Sequence, residues 1–308
     1  MDEFNLNIDD INDEGIRIDK YLASALLERS RNYYQKAIDN GYVLVNGRQV
    51  KSKYQTKIGD EILVSIEPVK EIDIKPEDIP IEILYEDEDV IVVNKPKGMV
   101  VHPAPGHYSG TLVNALMFHC KDSLSGINGE IRPGIVHRID MNTTGSLLVC
   151  KNDNAHNSIA AQIKVHSVNR IYKGLVVGNF KENEGTIDAP IGRNPKDRKK
   201  MAVVADGREA VTHFKVLEQY KGISFVEFKL ETGRTHQIRV HMSHIGHPLL
   251  GDDVYGKPVK NLVGQTLHAE TIGFIQPTSK EYVEVKAPLP DYFENVNPLR
   301  SGKVAFHI

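Results

Sequence analysis

A charged, proline-containing stretch divides this sequence into two parts. Residues 67–80, EPVKEIDIKPEDIP, hold three prolines and show neither helical nor strand periodicity, which is typical of a linker. A chain of 308 residues has the length of about two domains. We therefore predict an N-terminal domain at 15–66, a linker at 67–80 and a second domain at 81–308. The acidic residues 1–14 show little pattern and are expected to be a disordered tail.

The N-terminal domain is predicted to hold two short helices followed by a few strands. Apolar residues recur at helical spacing over 18–26, and a second helix follows Ser30, a residue type that caps helix N-termini. Gly41 is placed to end the second helix. Asn46-Gly47 between β-branched residues predicts a two-residue hairpin turn, and residues 61–66 alternate like a strand.

The second domain is predicted to be rich in strands. Period-2 patterns and short apolar runs predict strands at 135–139, 146–150, 170–177, 210–217, 224–230 and 282–286. Helical spacing predicts helices at 111–118, 154–164 and 235–245. Because strands and helices do not alternate regularly, we predict an α+β fold with a mixed, largely antiparallel central sheet.

The distribution of charge is more informative than its total. The net charge is −3, but residues 1–14 and 67–89 together hold sixteen acids, and the rest of the chain carries 36 basic and 25 acidic residues. That asymmetry allows a basic face suited to nucleic acid, although ordinary mixed surface charge gives the same count. The N-terminal residues that could contact RNA phosphates are Arg29, Arg31, Lys36, Arg48, Lys51, Lys53 and Lys57. A second basic segment, predicted to be a flexible loop, holds Arg193, Lys196, Arg198, Lys199 and Lys200.

The first segment that could carry chemistry is 134–145, GIVHRIDMNTTG. An apolar run leads directly into His137, Arg138 and Asp140, followed by a polar turn. A carboxylate at a strand end beside an arginine is a candidate nucleophile or base, because the cation keeps it ionised. Asp140 is equally suited to capping the turn, a common structural role for aspartate.

The second segment is 230–242, LETGRTHQIRVHM. Its Gly233 breaks a strand, and a helix start then places Arg234, His236 and Arg239 near amides that favour anions. The four histidines between 236 and 247 suggest a metal site, but the HExxH pattern is absent and His236 and His241 are five residues apart, so we expect no metal. No phosphate-binding or dinucleotide-binding glycine motif occurs, so no cofactor is implied.

Five segments of the second domain together resemble the RluA-type pseudouridine synthases. HRIDMNTTGSLLV, NKPKGMVVHP, RIYKGLVVG, TGRTHQIRVHMSHIGHPLLGDDVYG and Leu267-His268-Ala269 are similar to five signatures of that family, in the family's order, over residues 81–290. Residues 15–66 resemble an S4 RNA-binding domain in the start of the first helix, Ser30-Arg31, the GYVLVNG turn and Gly59-Asp60.

The resemblance implies a role for each matching residue. Asp140 is implied to be the catalytic carboxylate, Arg239 to hold it ionised, and Tyr172 to stack on the target uracil with a candidate part in proton transfer. Arg138 is implied to fill the gap left by a flipped uridine, and Leu267 to pack beneath the base. Arg234, His236 and His137 are implied to support the substrate. Base flipping is required because the glycosidic bond is unreachable inside a stacked helix.

The sequence therefore predicts an enzyme that isomerises uridine to pseudouridine in RNA. Large-subunit (23S) ribosomal RNA, free or in a pre-ribosomal particle, is the preferred target, with transfer RNA as the alternative. A catalytically silent RNA-binding or assembly factor and a metal-dependent hydrolase are the other classes. Two cysteines, no secretory signal and no apolar run of about 20 residues lead us to expect a cytoplasmic protein away from membranes. We also expect it to be a monomer.

Overall fold

Two compact units make up the chain, Met1–Ile72 and Asp73–Ile308. The computed structural model describes residues 2–26, 31–66, 74–103, 107–121, 123–127 and 133–295. The expected cap Ser30, the candidate RNA contact Arg29 and part of the expected linker, 67–73, lie outside these ranges. The boundaries at 66 and 81 stay predictions.

The first unit packs two helices on a four-stranded sheet. Its elements are β1 (Asp2–Asn7), α1 (Ile18–Ala25), α2 (Arg31–Asp39), β2 (Val43–Val45), β3 (Arg48–Gln49) and β4 (Glu61–Ile66), with strand order β1-β4-β2-β3. Asn46 and Gly47 have φ values of 49° and 70°, the positive pair that a two-residue hairpin needs. Leu22, Tyr34, Ile38 and Val64 are among the fully buried residues of its core.

Strand β1 corrects the expectation of a disordered tail at 1–14. Its residues pair antiparallel with β4 from Asp2 opposite Ile66 to Asn7 opposite Glu61. Phe4 and Leu6 alternate with polar residues and pack on the core that contains the buried Ile8. The high acid content of the segment obscures this period-2 pattern, which is what one buried face of a strand requires.

The second unit is built on a nine-stranded sheet. Its strands are β5 (Glu82–Glu86), β6 (Val90–Lys95), β7 (Thr144–Cys150), β8 (Asn169–Val177), β9 (Glu184–Asp188), β10 (Ile191–Arg193), β11 (Met201–Val203), β12 (Val211–Tyr220), β13 (Ile223–Leu230), β14 (Leu267–Ile275) and β15 (Tyr282–Lys286). The sheet order is β5-β6-β7-β14-β8-β13-β12-β9, with β15 paired to β14, while β10 and β11 form a separate hairpin. The β7–β14 pairing is parallel and the other pairings in this sheet are antiparallel, which confirms the α+β prediction.

Helices α3 (Leu112–Cys120), α4 (Asp153–Lys164), α5 (Gln237–His244) and α6 (Tyr292–Asn295) complete the second unit. Ala155 and Ile159 of α4 are fully buried against residues such as Leu148 of β7 and Phe274 of β14. Each large apolar side chain removed from water in such a cluster stabilises the fold by about 1.5–3 kcal/mol. Within the described residues, no helix is long and apolar enough to cross a bilayer.

The strand predicted at 135–139 is wrong. This segment is irregular apart from an isolated bridge between Ile135 and Val149. Gly134 adopts φ +69°, and the His137 ring, rather than a backbone carbonyl, accepts the Leu148 amide at 2.9 Å. A side-chain contact thus replaces the backbone hydrogen bonds of a strand, and the chain continues as an irregular segment to Asp140.

Candidate active site

Asp140 and Arg239 meet at the wall of a cleft although 99 residues separate them. Arg239 Nη1 donates to Asp140 Oδ2 at 3.0 Å, and the Asp140 side chain is 19% exposed. Asp140 lies in the irregular segment before β7, and Arg239 lies in the first turn of α5. A carboxylate that is ion-paired with an arginine and still open to the cleft can act as a nucleophile.

Arg239 is held on its other side by Asp252, a fully buried carboxylate. Arg239 Nε donates to Asp252 Oδ2 at 2.7 Å and Nη2 donates to Oδ1 at 3.0 Å. Burial acts to lower the pKa of Arg239, but the hydrogen bonds to Asp252 and the charge of Asp140 outweigh it and raise that pKa. Asp252 also accepts the amides of Val254 and Tyr255. The guanidinium is therefore permanently charged and fixed in orientation before any substrate arrives.

The turn before α5 is held by a buried glutamine. Gln237 Oε1 accepts from the Arg234 amide and from Thr232 Oγ1, while its Nε2 donates to the Val211 carbonyl and Thr212 Oγ1. His236, next to it, has φ 58°, a left-handed conformation that is costly for a residue with a β-carbon. The four hydrogen bonds of Gln237 help to offset that cost and hold the backbone beside His236.

His236 connects Asp140 to Tyr255. Its Nε2 lies 3.8 Å from Asp140 Oδ1, and its Nδ1 lies 2.8 Å from the Tyr255 hydroxyl. That hydroxyl accepts the Met201 amide at 2.9 Å, which leaves its own proton for His236 Nδ1. This assignment puts the proton of the neutral ring on Nε2, facing Asp140. Burial is the largest influence on the pKa of His236 and lowers it. The charge of Asp140 raises that pKa and the charge of Arg239 lowers it. The net shift is downward, so the neutral ring prevails near pH 7.

Tyr172 and Leu267 form the apolar side of the same cleft. The cleft has a volume of about 560 Å³ and is lined by Asp140, Tyr172, Arg239 and Leu267, among others. Tyr172 is buried on β8 and its pKa is raised, mainly by burial, so it stays a neutral phenol. Leu267 is buried at the start of β14, which pairs with β8. A flat ring and an aliphatic side chain beside a carboxylate suit a planar base.

His137 and Arg138 differ in what they can offer to a substrate. Both line the cleft. Burial lowers the pKa of His137 to about 3, and its Nε2 is occupied by the Leu148 amide. Its other ring nitrogen is therefore a neutral N–H donor. Arg138 is exposed, and its Nη1 lies 3.4 Å from His102 Nε2.

Lys95 stabilises the turn that carries Asp140 through hydrogen bonds to three backbone carbonyls. The side chain is fully buried, and Nζ donates to the carbonyls of Pro96, Met99 and Met141 at 2.8 to 2.9 Å. Three acceptors match the three donors of an ammonium. Burial lowers the pKa of Lys95 to about 7, against the opposing charge of Asp140. Met141 follows Asp140 directly, so this contact fixes the backbone beside the carboxylate.

The basic residues proposed to contact RNA lie on both units and differ in exposure and partners. Lys51, Lys53 and Lys57 line one shallow hollow on the first unit, and Lys36 and Arg48 of that unit are exposed. Arg31 donates from Nε to the buried Asp19, so part of its guanidinium already holds the fold together. On the second unit, Arg193, Arg198 and Lys199 are exposed near the β10–β11 turn, while Lys200 Nζ donates to the Val254 carbonyl. Arg234 lines the cleft and donates from Nε to the Glu209 carbonyl.

The histidines that suggested a metal site point to separate partners. His241 contacts Thr212 Oγ1 and the Ala189 carbonyl, and His247 Nδ1 contacts the Val177 carbonyl. Elsewhere in the described residues, Glu86, His119 and Cys120 have possible ligand atoms within 4.8 Å of one another. Glu86, however, is already paired with Lys151 at 2.8 Å.

Lys95, Asp252, Tyr255 and Gln237 were not singled out from the sequence. All four lie inside the segments that carry the resemblance, NKPKGMVVHP and TGRTHQIRVHMSHIGHPLLGDDVYG. Their place within these segments was the signal by which they could have been found. Residue type alone could not show which side chains of those segments turn inward.

The chain matches two family models and is similar to known proteins over most of its length. The family described as RNA pseudouridylate synthase matches residues 89–244, and the S4 domain matches residues 16–62. An uncharacterized RNA pseudouridine synthase of Bacillus subtilis is 53% identical over 93% of this chain and 95% of its own. The ribosomal large subunit pseudouridine synthase D of Zymomonas mobilis is 47% identical over 90% of this chain and 91% of its own.

A solved structure is similar at lower identity. Human RNA pseudouridylate synthase domain containing 1 superposes with a TM-score of 0.58 at 27% identity, covering 77% of this chain and 90% of that one. The family match spans the segment with Asp140, Tyr172 and Arg239, and the relatives align over nearly the whole chain. The chain therefore belongs to the RNA pseudouridylate synthases and is an RNA pseudouridine synthase with an N-terminal S4 domain.

Proposed function

We propose that this enzyme converts specific uridines of large-subunit (23S) ribosomal RNA to pseudouridine in the cytoplasm, and that Asp140 attacks a uridine flipped out of its helix. The observation that carries the proposal is the Asp140 carboxylate, paired with Arg239 at 3.0 Å and open to a cleft with an apolar wall. The relatives from Zymomonas mobilis and Pseudomonas aeruginosa bear the name ribosomal large subunit pseudouridine synthase D, which supports this choice of RNA.

The reaction needs no external reactant, because it exchanges one bond for another within a nucleotide. Asp140 attacks either uracil C6 or ribose C1′, and the N1–C1′ bond breaks. The uracil turns within the cleft, a C5–C1′ bond forms, the bond between the Asp140 carboxylate and the attacked carbon breaks, C5 loses its proton and N1 gains one. Holding the freed base in place is as important as the attack, because positioning supplies much of such a rate enhancement. Tyr172 and Leu267 are proposed to hold the two faces of the base.

Arg239 is proposed to act on Asp140 and not on the base. With Asp252 on its other edge, it presents one fixed N–H to the carboxylate. It therefore orients Asp140 without closing the cleft. Arg138, exposed beside the cleft, is proposed to occupy the space that the flipped uridine leaves.

Tritium release from RNA labelled at uridine C5 tests the proposal, because the C5 proton leaves only when C5–C1′ forms. The RNA is large-subunit ribosomal RNA from cells that lack the enzyme. We expect release with the wild type and with Asp206→Asn, an exposed carboxylate that does not line the cleft, and none above background with Asp140→Asn. Release by Asp140→Asn would remove Asp140 from the mechanism. Wild-type release from transfer RNA alone would contradict the proposed target but leave the chemistry intact.

A further inference from the structure

Arg170 is a buried cation without a carboxylate partner among the residues that the structure describes. It is 7% exposed, and Nη2 donates to the Glu231 carbonyl at 2.8 Å. Its Nε is inaccessible to solvent and has no hydrogen-bond partner within the described part of the chain. A buried guanidinium with donors that the protein leaves unused costs free energy, and a ligand in the cleft can take those of the Nη groups, although not the enclosed Nε.

Arg170 faces the cleft beside Tyr172. The two residues are two positions apart on β8, so their side chains lie on the same face of the strand, and both line the cleft. Gly233 on the facing loop leaves space for the guanidinium, because a β-carbon there would lie 2.8 Å from Arg170 Nη1. The glycine is needed for that space rather than for its backbone angle, since its φ is not in the left-handed region.

The surroundings of Arg170 are cationic. The described residues that line the cleft include Arg138, Lys164, Arg170, Arg208, Arg234 and Arg239. Asp140 is the one carboxylate among them, and Arg239 already holds it. Burial lowers the pKa of Arg234, and the positive charge of Arg208 lowers it further, so these two arginines lie close enough to repel each other. Glu209 partly offsets that repulsion.

We propose that Arg170 is a substrate-binding residue that donates to a backbone phosphate of the target nucleotide, with Arg208 and Arg234 at the rim of the same site. A phosphate carries the full negative charge that this cationic wall lacks, whereas uracil is neutral before the reaction begins. Guanidinium is also the side chain best matched to phosphate oxygens. This inference rests on the proposed function, because it places the reacting nucleotide in the cleft that holds Asp140.

The test uses the full-length enzyme and a short RNA. The uridines that the wild type modifies in large-subunit RNA are mapped first, and the shortest hairpin that is still modified becomes the substrate. Tritium release then gives kcat and KM for the wild type, Arg170→Gln, Arg170→Lys and the control Lys215→Gln, which removes an exposed charge on β12. Thermal unfolding of each variant separates a binding defect from a folding defect. The same hairpin is prepared with a neutral methylphosphonate in place of the phosphate on either side of the target.

We expect Arg170→Gln to raise KM by roughly 10- to 100-fold, the effect of removing one charged hydrogen bond, with a smaller change in kcat. Its affinity should also depend less steeply on salt. The slope of the logarithm of the binding constant against the logarithm of the salt concentration should be smaller by about 1. Arg170→Lys should recover part of the affinity, and Lys215→Gln should resemble the wild type. One methylphosphonate should weaken the wild type by a similar factor and leave Arg170→Gln almost unaffected, because the two changes remove the same interaction.

Two outcomes would overturn the inference. Additive losses from Arg170→Gln and from the methylphosphonates would show that Arg170 does not touch those phosphates. A fall in kcat alone, with KM and the salt dependence of binding unchanged, would mean that Arg170 contacts the uracil or maintains the shape of the cleft and does not bind a phosphate. If the wild type released no tritium from any RNA, the proposed function would fail instead, so the two failures are distinguishable.

Discussion

Arg239 and Asp252 form a two-point ion pair that is buried behind Asp140. The two bonds, 2.7 and 3.0 Å long, use one edge of the guanidinium and leave Nη1 for Asp140. Asp252 has no exposed surface, so its charge is satisfied entirely by Arg239 and by backbone amides. It is therefore placed behind the cleft to set the position of Arg239 and, through Arg239, that of Asp140.

Replacing Asp252 should damage catalysis although the residue lies behind the cleft. Asp252→Ala leaves a buried guanidinium half unpaired, and we expect a loss of about 3–5 kcal/mol in the free energy of unfolding. Asp252→Asn keeps the size and one acceptor, so it should fold and lose roughly 10-fold or more in kcat. Denaturant titration and tritium release measure the two effects. Asp253→Asn, an exposed neighbour, is the control, and an equal loss there would contradict the assignment.

Removing the Tyr255 hydroxyl tests the chain from Tyr255 through His236 to Asp140. In Tyr255→Phe, the Met201 amide loses its acceptor and His236 Nδ1 loses its donor. The ring can then turn or change tautomer, and we expect a several-fold fall in kcat with an altered pH profile and little change in KM. Tyr282→Phe removes a hydroxyl that contacts Glu284 and is the matched control. An unchanged pH profile would mean that Tyr255 only packs against the ring.

Local structure was predictable where backbone geometry depends on residue type. Asn46-Gly47 adopts the positive φ values that its hairpin requires, and the main helices and strands lie within a few residues of the expected positions. The segment 135–139 was predicted as a strand because it is apolar. Its conformation instead depends on the His137 ring, which accepts an amide from β7. Such a long-range side-chain contact leaves no trace in local periodicity.

The candidate site was only partly predictable for the same reason. Asp140, Tyr172 and Arg239 followed from motif resemblance, while their convergence depends on a sheet that joins distant segments. Asp252 and Asp253 are adjacent and chemically alike, and only the fold shows that the first turns inward. Arg170 has the sequence pattern of an exposed charge beside an aromatic residue, yet the structure buries it.

Lys95 should be required for the shape of the Asp140 turn. Lys95→Met removes a buried amine and leaves the carbonyls of Pro96, Met99 and Met141 without that donor. The Met141 carbonyl still accepts the Gly98 amide at 3.0 Å, but the lost hydrogen bonds to the Pro96 and Met99 carbonyls outweigh the relief of burying less charge, so we expect a loss of about 2–4 kcal/mol in the free energy of unfolding. We also expect kcat to fall, because Met141 adjoins Asp140. Lys286→Met, 68% exposed at its side chain, should change neither quantity. Full activity in Lys95→Met would contradict this role.

The lowered pKa of His137 predicts that the folded protein loses stability in weak acid. Its pKa is about 3 in the folded protein against about 6.5 in an unfolded chain. Between these values the unfolded state binds a proton that the folded state does not. Stability therefore falls as pH drops from 6.5 towards 3, by at most about 1.4 kcal/mol per pH unit for this one group.

The variant His137→Gln isolates this contribution. Its amide oxygen can still accept from the Leu148 amide, but it does not titrate. The free energy of unfolding, measured from about pH 7 to about pH 4.5, should fall less steeply in the variant than in the wild type. Carboxylates and His268, whose pKa burial lowers to about 4, contribute equally to both proteins and cancel. Parallel declines would show that His137 becomes protonated in the folded state.

Loss of the first unit should weaken RNA binding more than it slows chemistry. The residues around Asp140 lie in the second unit, while Lys51, Lys53 and Lys57 share one hollow on the first. Deleting residues 1–66 should raise KM for ribosomal RNA with kcat changed less. Replacing the three lysines by glutamine in the full chain should lower the salt slope of binding by about 0.7 for each single-strand phosphate that a lysine no longer neutralises. An unchanged affinity at physiological salt in both proteins would assign RNA binding to the second unit, because neither change alters the cleft.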